Sequence, residues 1–297
     1  MVQTYRQLRL DLGAALAEFL DHAEAHAESL RWFEEGLGLS RSWMAAHGGD
    51  LVPDEARAQV SAWVRRRRTG EPWAYILGWC LFRGRRFRVT RDTLIPRPET
   101  ELLVEAALDV GARLGVSRCV DVGTGSGIIA ASLALETDWR VSASDLSSGA
   151  LAVARENIAA LGAPVTFFEG SLLDQVPDPL GLVVANLPYV DPADEPGLQR
   201  ELAFEPASAL FAPDRGLALS VRLLEQARAR QAPACLLEIG AGQGGELCRR
   251  AMGAGWLKAM VHQDLAGHDR ILVALGVSNL PDDRPAVSGA KKVGSGA

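Results

Sequence analysis

The chain has 297 residues, with 31 Lys plus Arg against 37 Asp plus Glu, a formal net charge of -6 and 48% hydrophobic residues. Such a composition is that of an ordinary soluble globular protein with room for one large domain and a smaller one. The acidic total argues against broad, non-specific nucleic-acid binding, which needs Lys and Arg to neutralise phosphates. The cysteines Cys80, Cys119, Cys235 and Cys248 show no C-x-x-C spacing, so neither a zinc cluster nor a redox dithiol is indicated. A reducing, cytoplasmic setting is expected, with no signal peptide at Met1–Arg6 and no apolar run of membrane-spanning length.

From the N-terminus, residues 8–33 show helical spacing, with Leu8, Leu12, Leu16, Phe19 and Leu20 on one face. Residues 28–47 predict another helix carrying Leu30, Trp32, Phe33 and Leu37. Pro53-Asp54-Glu55 opens a third, with acids in its first turn and Val60, Trp63 and Val64 facing inward. Residues 1–72 therefore read as a small helical bundle. His22 and His26 lie four apart, but no third ligand accompanies them, so no metal site is expected.

Residues 73–93 predict a β-hairpin linker, with two strand-like runs flanking Arg83-Gly84. Arg65 to Arg68, Arg83, Arg85, Arg86, Arg88, Arg91 and Arg97 make this region basic. It reads either as a solvated face or as a docking patch for an acidic partner. In Leu94-Ile95-Pro96-Arg97-Pro98-Glu99-Thr100 the prolines block helix until after Pro98, and Glu99 to Leu114 then predicts a helix.

From residue 118 strands alternate with helices. The predicted strands are 118–123, 140–145, 165–169, 180–186, 234–240, 258–264 and 270–276, and the helices 126–136, 147–161, 214–230 and 243–254. That alternation implies a doubly wound α/β sheet with a mostly parallel core, whose ligands bind beyond the carboxyl ends of the strands. The tail 278–297, rich in Gly, Ser, Pro and Lys, is expected to be disordered.

Two turns are glycine-rich. Asp121-Val122-Gly123-Thr124-Gly125-Ser126-Gly127 follows a strand and opens a helix, and has Ile128 where a dinucleotide fingerprint has its last glycine. Asp145 ends the next strand about 20 residues on, where an acid can hold a ribose. A ribose-bearing cofactor without phosphate, S-adenosylmethionine, suits this turn better than NAD. Glu238-Ile239-Gly240-Ala241-Gly242-Gln243-Gly244 looks similar, with Asp264 beyond it, but a close strand–helix approach explains its glycines adequately.

The apolar run Leu180 to Ala185 ends in Asn186-Leu187-Pro188-Tyr189, a polar and aromatic lip. An amide nitrogen is a poor nucleophile because its lone pair is delocalised. A site that methylates it must accept hydrogen bonds from both N–H groups and leave the nitrogen facing the methyl donor. The Asn186 side-chain oxygen and the Leu187 carbonyl are suitable acceptors, and Tyr189 can cover the flat group. No general base and no metal are required.

Asn-Leu-Pro-Tyr resembles the Asn-Pro-Pro-Tyr motif of methyltransferases acting on planar amide or aromatic amine nitrogens. Together with Ile95 to Glu101, the first glycine turn and the helical N-terminal region, the chain resembles HemK/PrmC-type glutamine methyltransferases over about residues 5–277. The resemblance implies a Rossmann-like, class I S-adenosylmethionine-dependent methyltransferase domain over 94–277 with a seven-stranded, mostly parallel sheet. The N-terminal bundle then serves as a substrate-recognition domain. It also implies methylation of the glutamine of the Gly-Gly-Gln motif in class 1 peptide chain release factors, without need of nucleic acid or membrane. Carried over, Gly123, Thr124, Gly125, Ser126 and Gly127 match the cofactor turn, Asp145 the ribose acid, and Asn186, Leu187, Pro188 and Tyr189 the substrate motif. Leu187 replaces a proline, and Gly170 to Leu173 stand where the family often contacts adenine, leaving Leu172 as an apolar surface. Arg97, Glu99 and Thr100 border the cofactor or substrate channel, or else cap the helix that follows. An adenine amino-methyltransferase, or a cofactor-binding scaffold without activity, are the alternatives.

Overall fold

The computed structural model describes residues 3–277; the tail expected to be disordered lies outside them. The chain divides into two compact units. One runs to Gly78 and includes Arg200–Phe204; the other comprises Trp79–Gln199 and the chain from Glu205 onward.

In the first unit, α1 (Tyr5–Leu16) starts on a capping box between Thr4 and Gln7, and buries Leu8, Leu12 and Leu16. The predicted helix over 8–33 is two helices, because Asp21 caps a new one, α2 (His22–Arg31), through the Glu24 N–H. The predicted helix over 28–47 is likewise interrupted. A π-helical turn at Trp32–Gly36 and the left-handed Gly38 precede α3 (Arg41–His47), which Ser40 caps. α4 (Asp54–Arg68) and α5 (Trp73–Leu77) complete the unit. Its centre is aromatic: Trp32 stacks on Trp73 at 4.5 Å and Trp63 meets Trp73 edge-on at 5.2 Å. Buried Arg67 bonds Glu28 and Glu201, each at 2.8 Å, which ties Arg200–Phe204 to the bundle.

The second unit opens with the hairpin β1 (Trp79–Phe82) and β2 (Arg85–Arg88), turned at Arg83 and Gly84, both with positive φ. After the proline strap comes α6 (Thr100–Leu114). The alternating elements are β3 (Arg118–Val122), α7 (Ile128–Glu136), β4 (Arg140–Asp145), α8 (Ser148–Leu161), β5 (Val165–Glu169) and β6 (Leu182–Asn186). They continue with α9 (Ala207–Leu210), α10 (Ala218–Ala229), β7 (Ala234–Glu238), α11 (Gly244–Gly253), β8 (Lys258–Gln263) and β9 (Asp269–Leu275). The sheet has seven strands in the order β5-β4-β3-β6-β7-β9-β8, with β9 antiparallel to both its neighbours and the rest parallel. Strand order reverses between β3 and β6, and the loops leaving their carboxyl ends face one crevice.

Two predicted helices start later than expected. Gly127 has φ 84°, so α7 begins at Ile128; Asp214, Arg215 and Gly216 all have positive φ, so α10 begins at Ala218. Most of the basic stretch is neutralised internally. Arg66 pairs with Glu71, Arg67 with Glu28, Arg68 with Glu18, Arg83 and Arg85 with Glu136, Arg88 with Glu156, and Arg97 with Glu205. Cys119 and Cys235 are buried in strands, and the four cysteines are free. Among the described residues no helix is long and apolar enough to cross a membrane.

Candidate active site

The first glycine turn is built around Asp121, the fully buried residue before the end of β3. Its Oδ2 accepts from Thr124 Oγ1 at 2.7 Å and from the Ala130 N–H at 3.0 Å, which pins both ends of the turn. Burial pushes its carboxyl up to about 7, against the pull of those two bonds. Gly123 has φ 71°, and a Cβ there would lie 2.9 Å from the Leu187 side chain; at Gly125, φ 55°, a Cβ would project into open space. The turn thus packs on the lip at one glycine and opens onto a cavity at the next.

Asp145, at the end of β4, accepts from the Gly125 N–H and the Ser147 N–H, both at 2.9 Å. Burial raises its pKa, and backbone donors oppose the shift. It joins the turn to the start of α8 and faces the same cavity. Gly170, Ser171 and Leu172 form another wall. Leu172 adopts φ 50°, is buried, and its carbonyl accepts from Ser144 Oγ at 2.9 Å.

Asn186 closes β6 beside Glu238, its register partner on β7. Its Nδ2 donates to Thr100 Oγ1 at 3.1 Å. Thr100 and Asn186 favour the ionised form of the Glu238 carboxyl, and burial, the larger effect, opposes it. With the amide nitrogen engaged on the protein side, Oδ1 is the acceptor left for a ligand. Leu187 is buried, its side chain against Gly123. The cavity is lined by Gly123 to Ser126, Asp145, Leu172, Asn186, Leu187 and Pro188, so it brings together nearly all the residues expected from sequence.

Gly127 and Tyr189 are not among the residues lining it. Gly127 instead packs under α8, where a Cβ would lie 3.3 Å from Ala154 Cβ. The Tyr189 ring lies on the second glycine turn, 3.3 Å from where a Gly240 Cβ would be, and its carbonyl accepts from Gln243 Nε2 at 2.9 Å. Burial, with Glu238 nearby, pushes the Tyr189 phenol up to about 12. Arg97 pairs with buried Glu205, whose other oxygen accepts from the Ile95 N–H at 2.9 Å; Glu99 makes no capping bond, and Thr100 is wholly buried. The proline strap is therefore fastened through Glu205 rather than capping α6 through its own side chains.

Sequence reasoning missed Asp121, Glu205, Glu238 and Gln243 as parts of the site. The available signal was an acid at or next to the carboxyl end of a largely apolar strand, twice: Asp121 in Arg118–Val122 and Glu238 in Ala234–Glu238. Glu205 carried no such signal, since only tertiary contact brings it to Ile95 and Arg97.

Residues 12–78 match the PrmC N-terminal domain, and residues 98–214 match the methyltransferase small domain. A release factor glutamine methyltransferase of Neisseria gonorrhoeae is 42% identical over 84% of this chain and 99% of its own length. One from Bordetella pertussis is 41% identical over 80% of this chain and 90% of its own. The chain belongs to the release factor glutamine methyltransferase family.

Among solved structures, the catalytic domain of hMettl16 in complex with MAT2A 3′UTR hairpin 6 superposes with a TM-score of 0.56 at 13% identity, over 78% of this chain and 86% of that one. That likeness is one of fold: a Rossmann-like class I methyltransferase sheet. The family relatives do not favour the adenine amino-methyltransferase or the inactive scaffold. The donor of this family is S-adenosylmethionine, and the cavity suits it. Gly125 leaves a cradle that a Cβ would fill, and Asp145 offers acceptors beside it. Among the described residues lining the cavity the only cation is Arg97, already paired with Glu205, so no charge awaits a phosphate.

Proposed function

We propose that the chain methylates the side-chain amide nitrogen of the glutamine in the Gly-Gly-Gln motif of class 1 release factors. The observation that carries this reading is the Asn186 amide, held by Thr100 on the wall of the cavity that the glycine turn and Asp145 also line. S-adenosylmethionine, when bound, supplies an electrophilic methyl group on a sulfonium. Gly123 to Ser126 and Asp145 would hold it, with the Asp145 carboxylate placed to accept from ribose hydroxyls and Leu172 to offer an apolar face to the base. Asn186 Oδ1 accepts one N–H of the substrate amide and the Leu187 carbonyl accepts the other. Two fixed acceptors orient the nitrogen and stabilise the positive charge that grows on its hydrogens during transfer. The proton leaves after transfer, so no side chain need act as a base. Tyr189 sits behind the lip and shapes it from the Gly240 side rather than from inside the cavity.

The helical bundle is the unit proposed to recognise the release factor, and the reaction needs neither nucleic acid nor membrane. With the Arg residues of 66–97 largely paired to acids, no broad phosphate-binding track is called for. The cytoplasm, where release factors act, is the proposed location. The test is incubation with labelled methyl donor plus release factor, or plus DNA, with the modified residue located by mass spectrometry; label on DNA alone would overturn the reading. Asn186→Ala is expected to lower methyl transfer by about 100- to 1000-fold while leaving cofactor affinity near native. Native turnover in that variant would remove Asn186 from the mechanism.

A further inference from the structure

Glu238 is a carboxylate buried to 2% exposure at the end of β7, in a position where an unpaired charge is costly. It lies directly across the sheet from Asn186 and below Thr100 at the start of α6. Nothing in the chemistry proposed above uses it. Two of the side chains beside it, Thr100 and Asn186, carry hydrogen-bond donors. Asn186 Nδ2 gives one hydrogen to Thr100 Oγ1, which leaves the Thr100 hydroxyl hydrogen and the second Asn186 amide hydrogen as donors beside Glu238 Oε2, a buried oxygen with no hydrogen-bond partner among the described residues. An ionised carboxylate is an acceptor only, whereas an amide can present either its oxygen or its nitrogen. The carboxylate thereby selects one of the two flip states of Asn186, the one that turns Oδ1 to the cavity.

We propose that Glu238 is the positioning residue that sets the amide orientation of Asn186, directly and through Thr100. The proposal rests on the glutamine-amide reading of the site. A protonated Glu238 can donate to Asn186 Oδ1 and favour the wrong flip, which offers the substrate an N–H where it needs an acceptor. Other charged or titratable groups face this carboxyl from every side: Glu99 from the strap before α6, Arg270 from β9, and Tyr189 from the lip. Arg270 is shared with Asp264, at 2.9 Å, and favours the ionised form, while Glu99 opposes it. Burial dominates and pushes Glu238 up to about 7, so its protonation changes within an accessible pH range. Its Oε2 has no hydrogen-bond partner, so a glutamine there must either bury an unpartnered NH2 or turn that NH2 toward Asn186.

The experiment compares wild type, Glu238→Gln, Thr100→Val and Thr100→Ser across pH 5.5–9. It measures kcat, KM for the release factor, cofactor affinity by calorimetry and the thermal midpoint. Wild type is expected to lose kcat as pH falls through about 7. Glu238→Gln is expected to lose about 10- to 100-fold in kcat, with KM and cofactor affinity near native and with no acid limb. Thr100→Ser keeps the hydroxyl and should retain kcat, while Thr100→Val should lose it. If Glu238→Gln turns over like wild type, or keeps the acid limb, the inference fails. It also fails if the loss of kcat tracks a loss of cofactor binding or of folding. A wild-type chain that methylates no release-factor glutamine overturns the proposed function itself, whereas an active wild type beside an unaffected Glu238→Gln overturns only the role of Glu238.

Discussion

The two glycine turns begin alike, Asp121-Val-Gly-Thr-Gly and Glu238-Ile-Gly-Ala-Gly, each after a buried strand and each followed by a helix. Their surroundings make them opposites. At corresponding glycines a Cβ fares alike, blocked at Gly123 and Gly240 and in open space at Gly125 and Gly242, but Gly123 to Ser126 line the cavity with Asp145, whereas Gly240 is covered by Gln243 and the Tyr189 ring and a Cβ at Gly244 would lie 2.6 Å from Asp269. The acid beyond each turn differs for a topological reason. Asp145 ends β4, the parallel neighbour of β3, and reaches Gly125. Asp264 follows β8, which is separated from β7 by antiparallel β9, and its carboxylate is taken by Arg270 and two backbone N–H groups. The leading acids diverge as well. Asp121 turns back into its own loop, while Glu238 stands in register with Asn186 on the neighbouring strand. The first turn thus lines a cavity where the next strand in sequence is also the neighbour in space, whereas in the second turn Gly240 and Gly244 serve as close-packing points.

Paired substitutions are the most direct way to break this contrast. Asp145→Ala is expected to weaken cofactor binding by about 30-fold, the scale of a lost hydrogen bond to a charged group, while Asp264→Ala leaves it unchanged. Calorimetry showing equal losses would put the cofactor at the wrong turn. Next in size, Gly244→Ala should destabilise the fold by about 1–3 kcal/mol through overpacking against Asp269 and Val261, with cofactor affinity native in the folded fraction. Denaturant titration showing no change would mean that the second turn is not packed as described.

The leading acids sharpen the contrast through pH. Asp121 and Glu238 are each pushed up to about 7, mainly by burial. Raised carboxyl values mean that the folded state binds more protons than the unfolded one. Their stabilising contribution is complete below the unfolded carboxylate range and is lost as pH rises through about 7. The thermal midpoint should therefore fall on going from about pH 5 to about pH 8, and Asp121→Asn should flatten that fall. A variant whose pH profile parallels wild type would refute the assignment. The smallest effect is expected for Gln243→Ala, which removes donors to the Tyr189 and Arg215 carbonyls. About 1 kcal/mol of stability should be lost, with kcat reduced only through a looser lip; an unchanged chemical denaturation midpoint would remove Gln243 as the brace.

Much of the architecture was legible in the chain itself. Strand and helix alternation from residue 118 follows from apolar runs separated by glycine turns, and the observed strands fall within a residue or two of those expected. Leu8, Leu12 and Leu16 announce the buried face of α1, but the break before α2 depends on Asp21 serving as a cap, a role periodicity does not reveal. The lip and the first turn were visible as glycine, proline and asparagine at strand ends, a pattern whose glycines the second turn shares. Tyr189 is the instructive exception: its type suits a cover for the substrate, yet its ring is held against Gly240.

By itself, then, the sequence determined the fold class and the family, and it placed the first glycine turn, Asp145 and Asn186 to Pro188 at strand ends, because each depends on residues adjacent in the chain or on local backbone geometry. Only the tertiary structure decided which glycine turn opens on a cavity, where Tyr189 points, that Glu205 fastens the proline strap, and that Glu238 stands behind Asn186. Those outcomes depend on strand order and on contacts between residues 52 to 110 positions apart, such as Asn186 with Glu238 and Ile95 with Glu205, which no local pattern encodes.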